Sequence, residues 1–123
     1  MINRKLFADA AEHKYKTVEY KKTDCQSFIE ECAKEAGYTF NARGTNDIWR
    51  NYMAAKGNTS SFPLAVGDVV FKWREESNKL PERYRGDGNG DIYHIGIITG
   101  LNPITVCHSA NSKENGKRDI YDN

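Results

Sequence analysis

The chain has 123 residues, enough for one domain around a single core and too few for two. Hydrophobic residues make up 38% and charged residues 28%, the balance of a soluble globular domain over residues 1–123 rather than a disordered chain. A net charge of +1 gives no bulk electrostatic reason to expect nucleic acid or an anionic membrane as partner, and no apolar run is long enough to span a bilayer.

At the N-terminus the basic start around Arg4-Lys5 is followed by no apolar h-region, so no signal peptide is expected. Three cysteines cannot all pair within one chain, and a disulfide framework is not expected. Leu6, Phe7, Ala10 and Ala11 mark a first helix running toward Lys14-Tyr15, with Asn3 as its cap and His13 on its polar face. Thr17 to Lys22 forms a polar approach to a second helix, in which Lys21-Lys22 reads by default as a solvated turn, the alternative being a pair that lowers the pKa of the following thiol or attracts substrate carboxylates.

That second helix is the most informative segment. Thr23 or Asp24 supplies its cap, and Gly37 its stop. Cys25, Phe28, Ile29, Cys32, Ala33 and Ala36 follow the spacing of one buried face. A thiol at the helix start meets unpaired N–H groups and the positive end of the macrodipole, so its thiolate is expected to be favoured. Cys32, two turns further on, is expected to be a packing residue.

Tyr38 to Gly44 reads as a loop. Thr45-Asn46-Asp47 then caps a short helix with Ile48, Trp49, Tyr52 and Met53 inward, and Gly57 to Ser61 is again a loop. The second half reads as strands: Val69 to Trp73, Tyr93 to Thr99, Ile104 to His108, and a last one near Lys117 to Tyr121. Asn102-Pro103 makes the tight connection between the second and third, and Arg74 to Asp91 is read as an exposed excursion. Helices first, then consecutive strands, give an α+β fold with helices packed on an antiparallel sheet.

If the strands carrying His94 and His108 pair as a hairpin, the two imidazoles lie side by side at its open end. A nucleophilic thiol needs an imidazole to carry its proton and a third group to orient that imidazole. Cys25, His94 and His108 could supply the three. A zinc site from the same residues and Cys32 or Cys107 lacks the usual ligand spacing, and Cys107 reads as core. Asp87-Gly88-Asn89-Gly90-Asp91 has Ile92 and Ile98 where a calcium loop needs glycine and glutamate, so it reads as a polar turn.

Four segments occur in order: Thr23-Asp24-Cys25-Gln26-Ser27-Phe28-Ile29, Gly67-Asp68-Val69-Val70-Phe71, His94-Ile95-Gly96-Ile97-Ile98-Thr99-Gly100 and Val106-Cys107-His108-Ser109. Together they resemble the NlpC-type family of bacterial and phage cell-wall cysteine peptidases, which has a papain-like α+β fold. The resemblance implies Cys25 as nucleophile, His94 as base and His108 as the orienting residue, with Tyr15 or Tyr20, preferably Tyr15, lining the site. It further implies cleavage of peptidoglycan stem peptides, often between a γ-linked D-glutamyl residue and a diamino acid, without metal or organic cofactor. Gln26-Ser27 stands where the family has Ser-Gly, which would alter substrate approach and makes Gln26 a candidate binding residue. The family domain continues beyond the third residue by another strand or more, whereas only the polar stretch Asn111 to Asn123 remains here. The excursion with Leu80-Pro81-Glu82-Arg83-Tyr84-Arg85 is similar to gut-phage and prophage members. A wall hydrolase made in the cytoplasm without an export signal is expected to be released by a lysis system, carried on a phage particle or excised from a larger polypeptide. A non-catalytic wall-binding module and a papain-like acyltransferase or amidase on another substrate are the alternatives.

Overall fold

A computed structural model of the protein describes residues 2–17, 24–53, 55–57, 63–109 and 117–121. Tyr20, Lys21, Lys22, Thr23 and most of the loop expected at Gly57 to Ser61 lie outside the described residues.

Helix α1 spans Arg4–Lys14 and opens at Asn3, whose side-chain oxygen accepts from the Leu6 N–H at 3.0 Å. This satisfies one of the donors that every helix start leaves unpaired. Helix α2 spans Cys25–Glu35, with the Asp24 carboxylate accepting from the Ser27 N–H at 2.8 Å. It stops at Gly37, whose φ of +87° is a conformation that a side chain would resist. Helix α3, Thr45–Asn51, is capped differently from expectation. Its N-cap is Gly44 without a side-chain bond, because Thr45 donates instead to the Ile92 carbonyl at 2.6 Å and Asp47 accepts from the Arg43 N–H at 2.8 Å. Tyr52 falls just past the last turn and is exposed rather than inward, its hydroxyl donating to the Asn41 carbonyl.

Four strands form one antiparallel sheet in sequence order: β1 Val69–Arg74, β2 Asp91–Gly100, β3 Ile104–His108 and β4 Lys117–Tyr121. Alternation along β2 sends Ile95 and Ile97, with Cys107 of β3, into the core against Phe7, Phe28, Ile29, Cys32 and Ile48 of the helices. Helices and antiparallel sheet thus share one core, which makes the fold α+β. No helix among the described residues is long and apolar enough to cross a membrane.

The excursion between β1 and β2 is not the wholly solvated loop its charge suggests. It contains a 3-10 turn, Glu82–Tyr84, and buries Leu80 and Tyr84. Arg50 of α3 is the reason. Its side chain is only 8% exposed, and its guanidinium donates to Asp87 at 2.7 Å, to the Gly90 carbonyl at 2.8 Å and to Asn46 at 2.8 Å. The same group lies 4.6 Å from the centre of the Tyr84 ring. Asp87-Gly88-Asn89-Gly90-Asp91 is therefore a turn organised by an internal cation. Among the described residues, no group of three or more His, Cys, Asp or Glu is placed to hold a metal ion.

Bonds from Arg50 and Asn89 hold the Asp87 carboxyl well below the usual carboxylate range. Burial opposes ionisation of Asp47 and Asp91. Hydrogen bonds from the Arg43 N–H and Asn51 to the first, and from Asn46 and Arg74 to the second, outweigh that burial and lower both. Carboxyls depressed in the folded state contribute stability above their unfolded pKa and lose it as pH falls toward the folded value. Stability should therefore hold from neutrality down to about pH 4 and decline below it. Arg50→Ala should lower Tm at neutral pH by at least about 5 °C, and Arg50→Lys should restore little, because an ammonium cannot make the fork. A thermal melt unchanged in either variant would refute the docking role.

Candidate active site

Cys25 occupies the first position of α2, set by the Asp24 cap. Its thiol is half-buried and packs against the edge of the core. The backbone N–H dipoles of Ile95, and of Gln26 and Cys25 at the helix start, favour the thiolate of this sulfur. The nucleophile candidate therefore sits against the residue that directly follows His94 in β2.

His94 and His108 are brought together by strand register. Ile97 pairs with Cys107 and Ile98 with Val106, so one further step sets Gly96 opposite His108. His94, two residues before Gly96, lies on the same face. Its Nε2 is 2.7 Å from Nδ1 of His108, and the rings meet edge-on at 81°. His108 is 6% exposed, so its ring is held in place by packing. Two local features permit the approach. A Cβ on Gly96 would stand 2.5 Å from Val106 Cγ1 and 3.4 Å from the His108 Cβ, so only glycine lets β3 come this close. Tyr93 is an extra residue between the pairs Lys72–His94 and Trp73–Ile92, a bulge that bends β2 immediately before His94.

The electrostatics of Cys25 depart from expectation. Burial raises its pKa most, and the Asp24 carboxylate beside it raises it further. The three N–H groups pull the other way, as a helix start should, but they do not win. Burial and Asp24 thus favour the protonated thiol over a preformed thiolate. Cys32 goes further: burial pushes it up to about 12, and it is sealed within the core with Cys107.

The other two candidates take different places. The Gln26 amide donates to Glu30 and, at 3.0 Å, to the Ala42 carbonyl, so it fastens the loop before α3 to the start of α2. Tyr15 closes α1 and packs against the core, with the Lys16 ammonium 5.8 Å from its ring centre. His13 is exposed on α1. Sequence reasoning offered Asp24 as a cap but missed the effect of its charge on the thiol, and it missed the Ile95 N–H. Asp24 adjoins the thiol in the chain and so could have been recognised; the Ile95 contact needs the tertiary fold.

No family model, curated protein or solved structure matches this chain.

Asp24→Asn keeps a side-chain oxygen for the Ser27 N–H but removes the charge that opposes ionisation. Alkylation of Cys25 by iodoacetamide at neutral pH should become severalfold faster with helix content unchanged. An equal or slower rate would contradict the electrostatic account.

Proposed function

We propose that the protein is a papain-like cysteine hydrolase of the NlpC type, cleaving amide bonds in peptidoglycan stem peptides. The observation that carries this reading is the 2.7 Å bond between His94 Nε2 and His108 Nδ1, one residue along β2 from the N–H that meets the Cys25 sulfur. The Ile95 peptide, which follows His94 and acts on the Cys25 sulfur, supports reading the three side chains as nucleophile, base and orienting group.

The roles follow from which atoms are engaged. We assign the donor of the pair to His94 Nε2, which leaves its Nδ1 to take the thiol proton. His108 then accepts through its own Nδ1 and holds His94 in that tautomer. Because burial and Asp24 keep the thiol protonated at rest, the proton leaves as the sulfur attacks the scissile carbonyl. The resulting imidazolium is stabilised by its bond to His108, and it returns the proton to the departing amine. His94 next draws a proton from water, whose oxygen attacks the thioester carbonyl and releases Cys25. The Cys25 and Gln26 N–H groups at the start of α2 are suited to the carbonyl oxygen as charge develops on it.

The stem-peptide substrate rests on the four ordered segments from Thr23 to Ser109, and the phage or prophage setting on the excursion. Cys25→Ala should reduce solubilisation of purified cell walls by at least about a thousandfold, with the thermal melt little changed. His94→Ala should approach that loss. His108→Gln should be milder, since its amide oxygen can still accept from His94. Equal activity in all three variants and the parent would discard the mechanism.

A further inference from the structure

Beside this neighbourhood, α3 and the 3-10 turn of the excursion enclose an open cleft of about 450 Å³, lined by Arg43, Asp47, Asn51, Tyr52, Arg83 and Tyr84. Its polar groups are arranged asymmetrically. The Asp47 carboxylate is buried and faces inward, one oxygen accepting from the Arg43 N–H at 2.8 Å and the other from Asn51 Nδ2 at 2.6 Å. Tyr52 donates its hydroxyl to the Asn41 carbonyl. Each acidic or hydroxyl group of the lining so described already has an internal partner.

The arginines differ. Both side chains are exposed and both cations help lower the Asp47 pKa, but neither guanidinium makes a hydrogen bond or close ion pair among the described residues. Arg83 lies 4.6 Å from the centre of the Tyr84 ring, whose other guanidinium contact is Arg50 at 4.6 Å. Stacking an arginine on an aromatic face holds its plane while leaving its in-plane N–H donors available. Two guanidiniums against one internally satisfied carboxylate leave a net positive cleft whose unused groups are donors. That is the chemistry that grips a planar carboxylate in two-point fashion.

The cleft is also coupled to the nucleophile. Gln26, next to Cys25, donates to the Ala42 carbonyl, and Ala42 adjoins Arg43. Glu30, one turn further along α2, accepts from the Ala42 N–H at 3.4 Å. The connection from Cys25 to Arg43 thus runs through the Gln26 side chain and the Ala42 peptide.

We infer that Arg43 and Arg83 form a subsite for a carboxylate of the peptide substrate, away from the scissile bond. The inference rests on the hydrolase reading for the word substrate, but the cleft itself can be tested by binding. The probe is a stem peptide, L-alanyl-γ-D-glutamyl-diamino acid, with free carboxylates, compared with the same peptide fully amidated. Binding is measured by calorimetry on Cys25→Ala protein, which cannot turn it over, and cleavage is followed separately on the parent protein. The free-acid peptide should bind at least tenfold more tightly than the amide. Arg43→Gln with Arg83→Gln should remove that advantage without weakening amide binding, and the double lysine variant should recover part of it. Circular dichroism verifies that each variant is folded. Equal affinity for acid and amide, or no binding of the acid, overturns the subsite, and continued cleavage would then leave the hydrolase reading standing. Arginine-dependent binding without any cleavage by the parent protein overturns the hydrolase reading and keeps the cleft as a carboxylate site.

Discussion

The register between β2 and β3 is the constraint on which the rest of this molecule turns. It places Gly96 opposite His108, and the missing Cβ lets the two strands close until His94 Nε2 meets His108 Nδ1 at 2.7 Å. A one-residue slip would send one imidazole to the other face of the sheet and bury the wrong row against the helices. Ile95, Ile97 and Cys107 prevent that slip, because they are the residues that pack with Phe7, Phe28 and Ile48. The same alternation that builds the core therefore builds the imidazole pair. Stability and site geometry are set by one pattern.

A second tension concerns the thiol. Anchoring α2 with an aspartate is a good way to start a helix, since the carboxylate satisfies the Ser27 N–H and favours the positive end of the dipole. The same carboxylate stands beside Cys25 and holds its proton on, in the direction in which burial already pushes. The resting sulfur is accordingly quiet, and under the proposed mechanism the imidazole pair, not the helix, activates it. Cys32 and Cys107 are quieter still, being sealed in the core. Among the three thiols, exposure sets Cys25 apart.

Much of this was legible in the chain. The Asn3 and Asp24 caps, the Gly37 stop, the apolar face of α2 and the four strands follow from local chemistry, and the structure has all of them. So does the side-by-side placing of His94 and His108, because a hairpin with a short connection leaves little freedom at its open end. What was not legible is what depends on partners far away. Arg50 pins an excursion that its composition marks as solvated, through Asp87 and Gly90, some forty residues downstream. Thr45 prefers the Ile92 carbonyl to its own helix, and Gln26 turns to Glu30 and Ala42. Periodicity carries no trace of such cross-connections. The upward shift of Cys25 belongs to the same class, since burial is a property of the assembled fold.

The imidazole pair is most directly tested by nitrogen NMR of the histidine rings at neutral pH. The account predicts that His94 carries its proton on Nε2 with Nδ1 unprotonated, and that a scalar coupling across the hydrogen bond links His94 Nε2 to His108 Nδ1. A His94 ring protonated on Nδ1, or two imidazoles titrating independently without that coupling, would contradict it.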